Sequence, residues 1–240
     1  MFAWIIASLV AFFVKGLCGF ANTLVFSSIL GFVADNVNIS PVELILGYPT
    51  NLILIWKNRK RLNLKIVVPL SLIIIATSII GAVLLKSVDT AKIKIVFGVA
   101  VILIGIEILF RSFFSKEKET KSSKFLLIAI GVLSGLLCGL FGIGALLSAY
   151  IGRVTKTSGE FKANISAIFF AENTIRLSTY SLLGIISLAS FAKAALLFPF
   201  ALAGLFLGMK SASVLNEKAT KILVILLLII SGFILVVKNI

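Results

Sequence analysis

Residues 135–144 read Gly135-Leu136-Leu137-Cys138-Gly139-Leu140-Phe141-Gly142-Ile143-Gly144. These four glycines fall inside an apolar run that extends from Phe125 to Ile151. A membrane-crossing helix needs about 20 apolar residues, so this run is too long for one straight span and too short for two. Glycine interrupts helices and lets backbone approach a ligand. The stretch therefore predicts two half-helices joined by a tight or unwound turn. Phe2–Val33, with Gly16 and Gly19 near its middle, reads the same way.

The composition around these runs is that of a membrane protein. Of 240 residues, 60% are hydrophobic and 13% charged, against about 45–50% and about 25% in soluble chains. The net charge is +14, but the bases stand between long apolar runs, which is the membrane pattern and not a nucleic-acid-binding face. There is no histidine, which excludes a Ser-His-Asp triad, His-ligated zinc or haem, and a histidine proton relay. Two cysteines cannot build a disulfide framework or a four-cysteine metal site. No cofactor or metal is expected.

Eight apolar segments are expected: Phe2–Val33, Pro41–Trp56, Leu64–Leu85, Ala91–Phe114, Phe125–Ile151, Phe161–Leu183, Leu188–Val214 and Ala219–Val237. No base precedes Lys15, so the first does not read as a cleaved signal peptide. Leu17-Cys18-Gly19-Phe20 recurs as Leu137-Cys138-Gly139-Leu140, 120 residues on. Gly81 and Gly208, Asp89 and Asn216, and Gly105 and Gly232 match 127 residues apart, and Pro69 and Pro199 hold similar places. The expectation is an all-α integral membrane protein of two homologous four-segment repeats, 1–114 and 125–240, joined by a polar cytoplasmic linker at 115–124. The basic residues choose its topology. If all eight segments cross, 12 bases fall inside and 9 outside; if the first and fifth re-enter, 16 fall inside and 5 outside. The positive-inside rule favours the second, inverted arrangement, a layout shared by many secondary transporters with their sites at the repeat interface.

Unwound backbone is tolerated in a bilayer only where it is buried in protein or lines a wet cavity. Half-helix N-termini there present free N–H groups and partial positive charge, which suits a small anion. Gly19, Gly139, Gly142 and Gly144 are candidate backbone contacts, and Asn22 and Thr23 candidate side-chain donors. Glycine-mediated helix packing is the alternative reading of the same residues. Lys15, beside the first break, either neutralises an anion or snorkels to an interface. The sixth segment is the most polar. Its Asn173 and Arg176, with Asn51 of the second, are candidate cavity-lining residues, and a guanidinium suits an oxyanion. Glu172 stands four residues before Arg176 and is the candidate proton carrier, or else a bracing counter-ion. Glu43 is read as an ordinary first-turn acid of a helix begun by Pro41 and is assigned no function. Glu107 and Arg111 read as a structural pair. Trp4, Trp56 and Tyr150 read as interfacial aromatics, and Cys18 and Cys138 as small residues at matching positions.

Lys15-Gly16-Leu17-Cys18-Gly19-Phe20 resembles the KGxxGFG start of TauE/SafE-type sulfite exporters. Residues 135–144 are similar to the second-half motif of that family, GLLSGLFGIGG, and the chain fits its plan of two four-segment repeats. The resemblance implies a multi-pass transporter of the cell (inner) membrane that exports small anions such as sulfite or organosulfonates. Ala21-Asn22 and Ala145 replace glycines of the family pattern, and no proline closely follows either motif. The implied partners are a small anion and the lipid bilayer, with no nucleic acid and with homo-oligomers left open. No enzyme is expected: the two Ser-x-x-Lys spacings, Ser115 with Lys118 and Ser190 with Lys193, lie in the linker and at a segment edge. A non-transporting scaffold or assembly factor is the alternative.

Overall fold

The computed structural model describes residues 1–31, 33–34, 36–84, 95, 98–99, 102–103, 106, 109–110, 124–142, 144–155, 157–214, 222, 225–226, 229–230, 232–233 and 236–237. The linker 115–123, Asp89, Gly105, Asn216 and the Glu107–Arg111 pair lie outside them. The described residues are helical with short connections: α1 Phe2–Cys18, α2 Asn22–Leu30, α3 Asn36–Asn58, α4 Leu64–Leu84, α5 Lys124–Phe141, α6 Ala145–Val154, α7 Ser158–Leu182 and α8 Leu188–Val214. A 3₁₀ turn, Arg59–Arg61, follows α3. The described residues between 95 and 110 and between 222 and 237 are helical too.

By length and hydropathy, Asn38–Arg61, Leu64–Leu84 and Leu188–Val214 are long and apolar enough to cross a membrane. The molecule is apolar outside and polar inside. Leu72, Ile80, Phe206 and Leu207 face outward, while Asn164, Ser166, Glu172, Asn173 and Arg176 of α7 are buried. That distribution suits a lipid surround, where polar groups must find partners within the protein.

Both long segments are broken as the glycines predict, at residues 19–21 and 142–144. The first break reverses the chain. Continued straight, Phe26 would stand about 33 Å from Trp4 at about 1.5 Å per residue. Instead their rings meet edge to face at 5.9 Å. α2 therefore folds back along α1.

Glycine determines how the long helices meet. Gly16 faces the backbone of Leu205 and Met209 on α8, and Gly208 faces Phe13 and Leu17 on α1. Gly139 faces Ser78 and Ala82 on α4, and Gly81 faces Leu136 and Leu140 on α5. At each position a Cβ would run into backbone, so these are the small-residue contacts of membrane helix packing. α3 and α7 run antiparallel: Ser40 meets Tyr180, Gly47 faces Asn173, and the backbone of Asn63 donates to Asn164. The 98–102 and 232–236 regions are antiparallel too, with Gly98 against Val236 and Gly232 against Ile102.

Three expectations need correction. α3 begins at Asn36 and carries both Pro41 and Pro49 in its interior, so Glu43 lies two turns in and not in the first turn. Trp4 and Tyr150 are buried; only Trp56 faces outward, with Arg59 over its ring. The functional register of the repeat is 123 residues and not 120. Gly16 and Gly139 do the same packing job, and Gly19 and Gly142 both cap a helix at positive φ. This sets Lys15 against Cys138 and Cys18 against Phe141, so the two cysteines are not counterparts. Neither forms a disulfide.

Candidate functional site

The two breaks meet at one cavity of about 360 Å³, counting its open mouth. α1 contributes Lys15; the first break contributes Phe20 and Ala21; α2 contributes Asn22, Thr23 and Leu24. Glu43 and Asn51 come from α3, Gly142 and Gly144 from the second break, and Phe169, Asn173 and Arg176 from α7.

Each break is built by a left-handed glycine that ends the preceding helix. Gly19 has φ 91° and its N–H closes on the carbonyl of Lys15 at 2.6 Å. Gly142 has φ 70° and its N–H closes on the carbonyl of Cys138 at 2.7 Å. L-residues pay for that conformation, glycine does not. The helices that follow start bare. Ala21 caps α2 and Gly144 caps α6, neither with a side-chain hydrogen bond. The first-turn N–H groups of both helices are therefore left without helical or side-chain acceptors.

α7 supplies the side chains that hold the breaks. Its own start is fixed by Thr157, whose hydroxyl accepts from the backbone of Glu160 at 3.2 Å, an N-cap followed by the usual acid. Arg176 Nη1 donates to the Cys138 carbonyl at 3.1 Å, and Nη2 donates to Asn173 Oδ1 at 2.9 Å. Tyr180 donates to the carbonyl of Gly139 at 3.0 Å. Lys162 donates to the carbonyl of Gly16 at 3.3 Å, and its stem packs on Gly19. Carbonyls freed at both breaks are thus satisfied from one helix.

The charges form a closed set. Lys15, Glu43, Glu172 and Arg176 are all at most 3% exposed. Arg176 Nε stands 3.4 Å from Glu172 Oε1, and Nη2 stands 3.9 Å from Glu43 Oε2. Lys15 Nζ donates to the Gly47 carbonyl at 3.2 Å. The side-chain amide of Asn22 donates to Glu43 Oε1. Gly47 leaves room for this junction: a Cβ there would stand 3.2 Å from Glu43 Oε1.

Of the sequence-derived candidates, Lys15, Asn22, Thr23, Asn51, Gly142, Gly144, Asn173 and Arg176 line the cavity together. Gly19 and Gly139 do not. Gly19 is the turn itself, against Lys162, and Gly139 packs on α4. Glu172 lies behind Arg176 as its ion-pair partner. The missed residue is Glu43. The available signal was an acid in an otherwise apolar run; reading Pro41 as the helix start concealed it. Among the described residues no group of His, Cys, Asp and Glu side chains is arranged to hold a metal ion.

A family model described as sulfite exporter TauE/SafE matches residues 4–235. No curated protein and no solved structure matches the chain.

Proposed function

The chain belongs to the TauE/SafE sulfite exporter family, a family of multi-pass membrane transporters, and from that premise we propose that it exports a small oxyanion such as sulfite or an organosulfonate across the cell membrane. The observation that carries the reading is the convergence of two uncapped helix N-termini, α2 and α6, with two buried cations on one cavity. Helix N-termini carry partial positive charge and free donors, and here they face a space lined by Lys15 and Arg176. Arg176 already spends Nη1 and Nη2 on Cys138 and Asn173, so it arrives with its plane fixed.

In this reading the halves are inverted repeats, 1–114 and 125–240, with the site between them. Two antiparallel contacts support inversion: α3 with α7, and the 98–102 region with 232–236. Corresponding segments of parallel halves would run in the same direction. The return of α2 along α1 supports re-entry of the first segment, and with it an outer N-terminus and cytoplasmic bases at 57–65, 111–124, 153–162 and 210–221.

Packing glycines alone would suit a scaffold. Here packing and cavity use different glycines: Gly16, Gly81, Gly139 and Gly208 lie between helices, whereas Gly142 and Gly144 line the cavity. Efflux of labelled sulfite and a panel of small sulfonates from vesicles carrying the protein tests the reading. Saturable movement of at least one is expected, and none across the panel would favour the scaffold. An N-terminal tag is expected to be accessible from outside; a cytoplasmic tag would remove the re-entrant topology.

A further inference from the structure

Lys15 and Arg176 balance Glu43 and Glu172 when all four are charged, and all are buried. An added anion would leave the site with uncompensated negative charge, which buried positions do not tolerate. Neutrality is kept if a proton enters with the anion. Of the two carboxylates, only Glu43 lines the cavity. Its Oε1 takes the amide of Asn22, the first residue of α2, so it sits at a helix N-terminus where an oxyanion would sit. Its Oε2 makes no hydrogen bond, although it is buried and 3.9 Å from Arg176 Nη2. The charged and titratable groups facing Glu43 are Lys15 of α1, Arg176 and Glu172 of α7, and Cys138 of α5; α2 adds the polar Asn22 and Thr23.

Resting on the anion-transport reading, we propose that Glu43 is a tethered substitute for the substrate: its carboxylate holds the anion's place in the empty site, and yields it by taking up one proton per anion bound. The proton comes from water on the side of entry, forms an O–H bond at Glu43, and returns to water when the anion leaves and the carboxylate resumes its contacts. Glu172, outside the cavity, remains the fixed counter-ion of Arg176.

The probe is methanesulfonate, because its own charge does not change between pH 6 and 9. Binding to the purified full chain is measured across that range, with proton uptake followed in weak buffer. The proposal expects uptake approaching one proton per anion at the alkaline end, and a Kd that rises toward tenfold per pH unit there. Glu43→Gln, which mimics the protonated acid and still accepts from Asn22, is expected to abolish uptake and flatten the pH profile. Glu172→Gln is expected to keep the slope. Binding by the native chain without proton uptake overturns the proposal, as does a slope that survives Glu43→Gln, a slope lost only in Glu172→Gln, or a requirement for sodium in place of protons. If Glu43→Gln does not fold, Glu43→Asp replaces it. An unshifted profile in that variant is equally fatal. Failure of the native chain to bind or move any anion at any pH is distinguishable, since it removes the underlying transport reading instead.

Discussion

The breaks at 19–21 and 142–144 share a backbone and differ in chemistry. Both end a helix on a left-handed glycine, and both start the next helix without a side-chain cap. The first carries its own functional groups: Lys15 before the turn, and Asn22 and Thr23 after it. The second has Cys138 at the position of Lys15, and Gly144 and Ala145 after the turn. Its cation is brought by another helix, as Arg176 reaching the Cys138 carbonyl. The duplicated element is therefore a pair of donor-bearing helix ends, and the side chains around it are free to specialise. One break is charged and tied to Glu43; the other is bare backbone under a fixed guanidinium.

The largest test of that asymmetry is Arg176→Ala. It removes the only side chain that ties the second break to both carboxylates among the described contacts, and leaves Glu43 and Glu172 with a buried charge deficit. Breaking a buried pair in this way costs about 3–5 kcal/mol. Efflux of the transported anion is expected to fall at least about 100-fold, the equivalent of about 2.7 kcal/mol, with membrane insertion kept. Arg176→Lys retains charge but not the fork to Cys138 and Asn173, and is expected to recover only part of the rate. Unchanged efflux in Arg176→Ala would remove Arg176 from the site.

Gly142→Ala comes next. The added methyl meets the Arg176 guanidinium and stands 3.1 Å from Thr23 Cγ2, at φ 70°. Strain of about 1–2 kcal/mol joins an overpacking cost of about 1–3 kcal/mol. More than about a tenfold loss of efflux is expected, with a lower Tm. Gly184→Ala is the control: φ is also positive, at 66°, but nothing lies within 4 Å. It is expected to show the backbone strain alone, with efflux kept. Equal effects from both would mean that Gly142 matters only as a turn.

Lys15→Met tests the first break. Lys15 makes a single hydrogen bond, to the Gly47 carbonyl, and holds no second helix in place. About a tenfold rise in KM is expected, about 1.4 kcal/mol, with a smaller change in kcat. A loss as large as that of Arg176→Ala would show that the breaks contribute equally.

The helix breaks were legible in the sequence because glycine density in an over-long apolar run has few other causes. So was most of the cavity, since buried polar residues in spans need an interior. The register was not legible. Leu17-Cys18-Gly19-Phe20 and Leu137-Cys138-Gly139-Leu140 match letter for letter, yet packing pairs Gly16 with Gly139 and Gly19 with Gly142. Identity of letters does not say which glycine turns and which one packs; φ and the facing backbone do. Glu43 was hidden because proline usually opens helices, whereas α3 runs through Pro41 from Asn36. Gly19 and Gly139 were candidates because backbone exposure at a motif is invisible until the neighbouring helices are in place.

The finest comparison is between the two supports, Tyr180 under Gly139 and Lys162 under Gly16. Tyr180 is fully buried and donates at 3.0 Å to a carbonyl freed by the second break. Tyr180→Phe keeps the ring and deletes the donor, leaving that carbonyl short of one partner. A buried group left unsatisfied costs about 1–3 kcal/mol. Lys162 donates to the corresponding carbonyl at 3.3 Å, and its stem, not its charge, packs on Gly19. Lys162→Met keeps the stem and deletes only the ammonium, so it is expected to cost less, about 0.5–1 kcal/mol. Thermal unfolding in one detergent measures both, and efflux in each is expected to stay within about threefold of the native chain. If Lys162→Met proves the more damaging, the first break depends on charge where the geometry assigns it packing, and the contrast between the two breaks would have to be drawn at Lys162 as well as at Lys15.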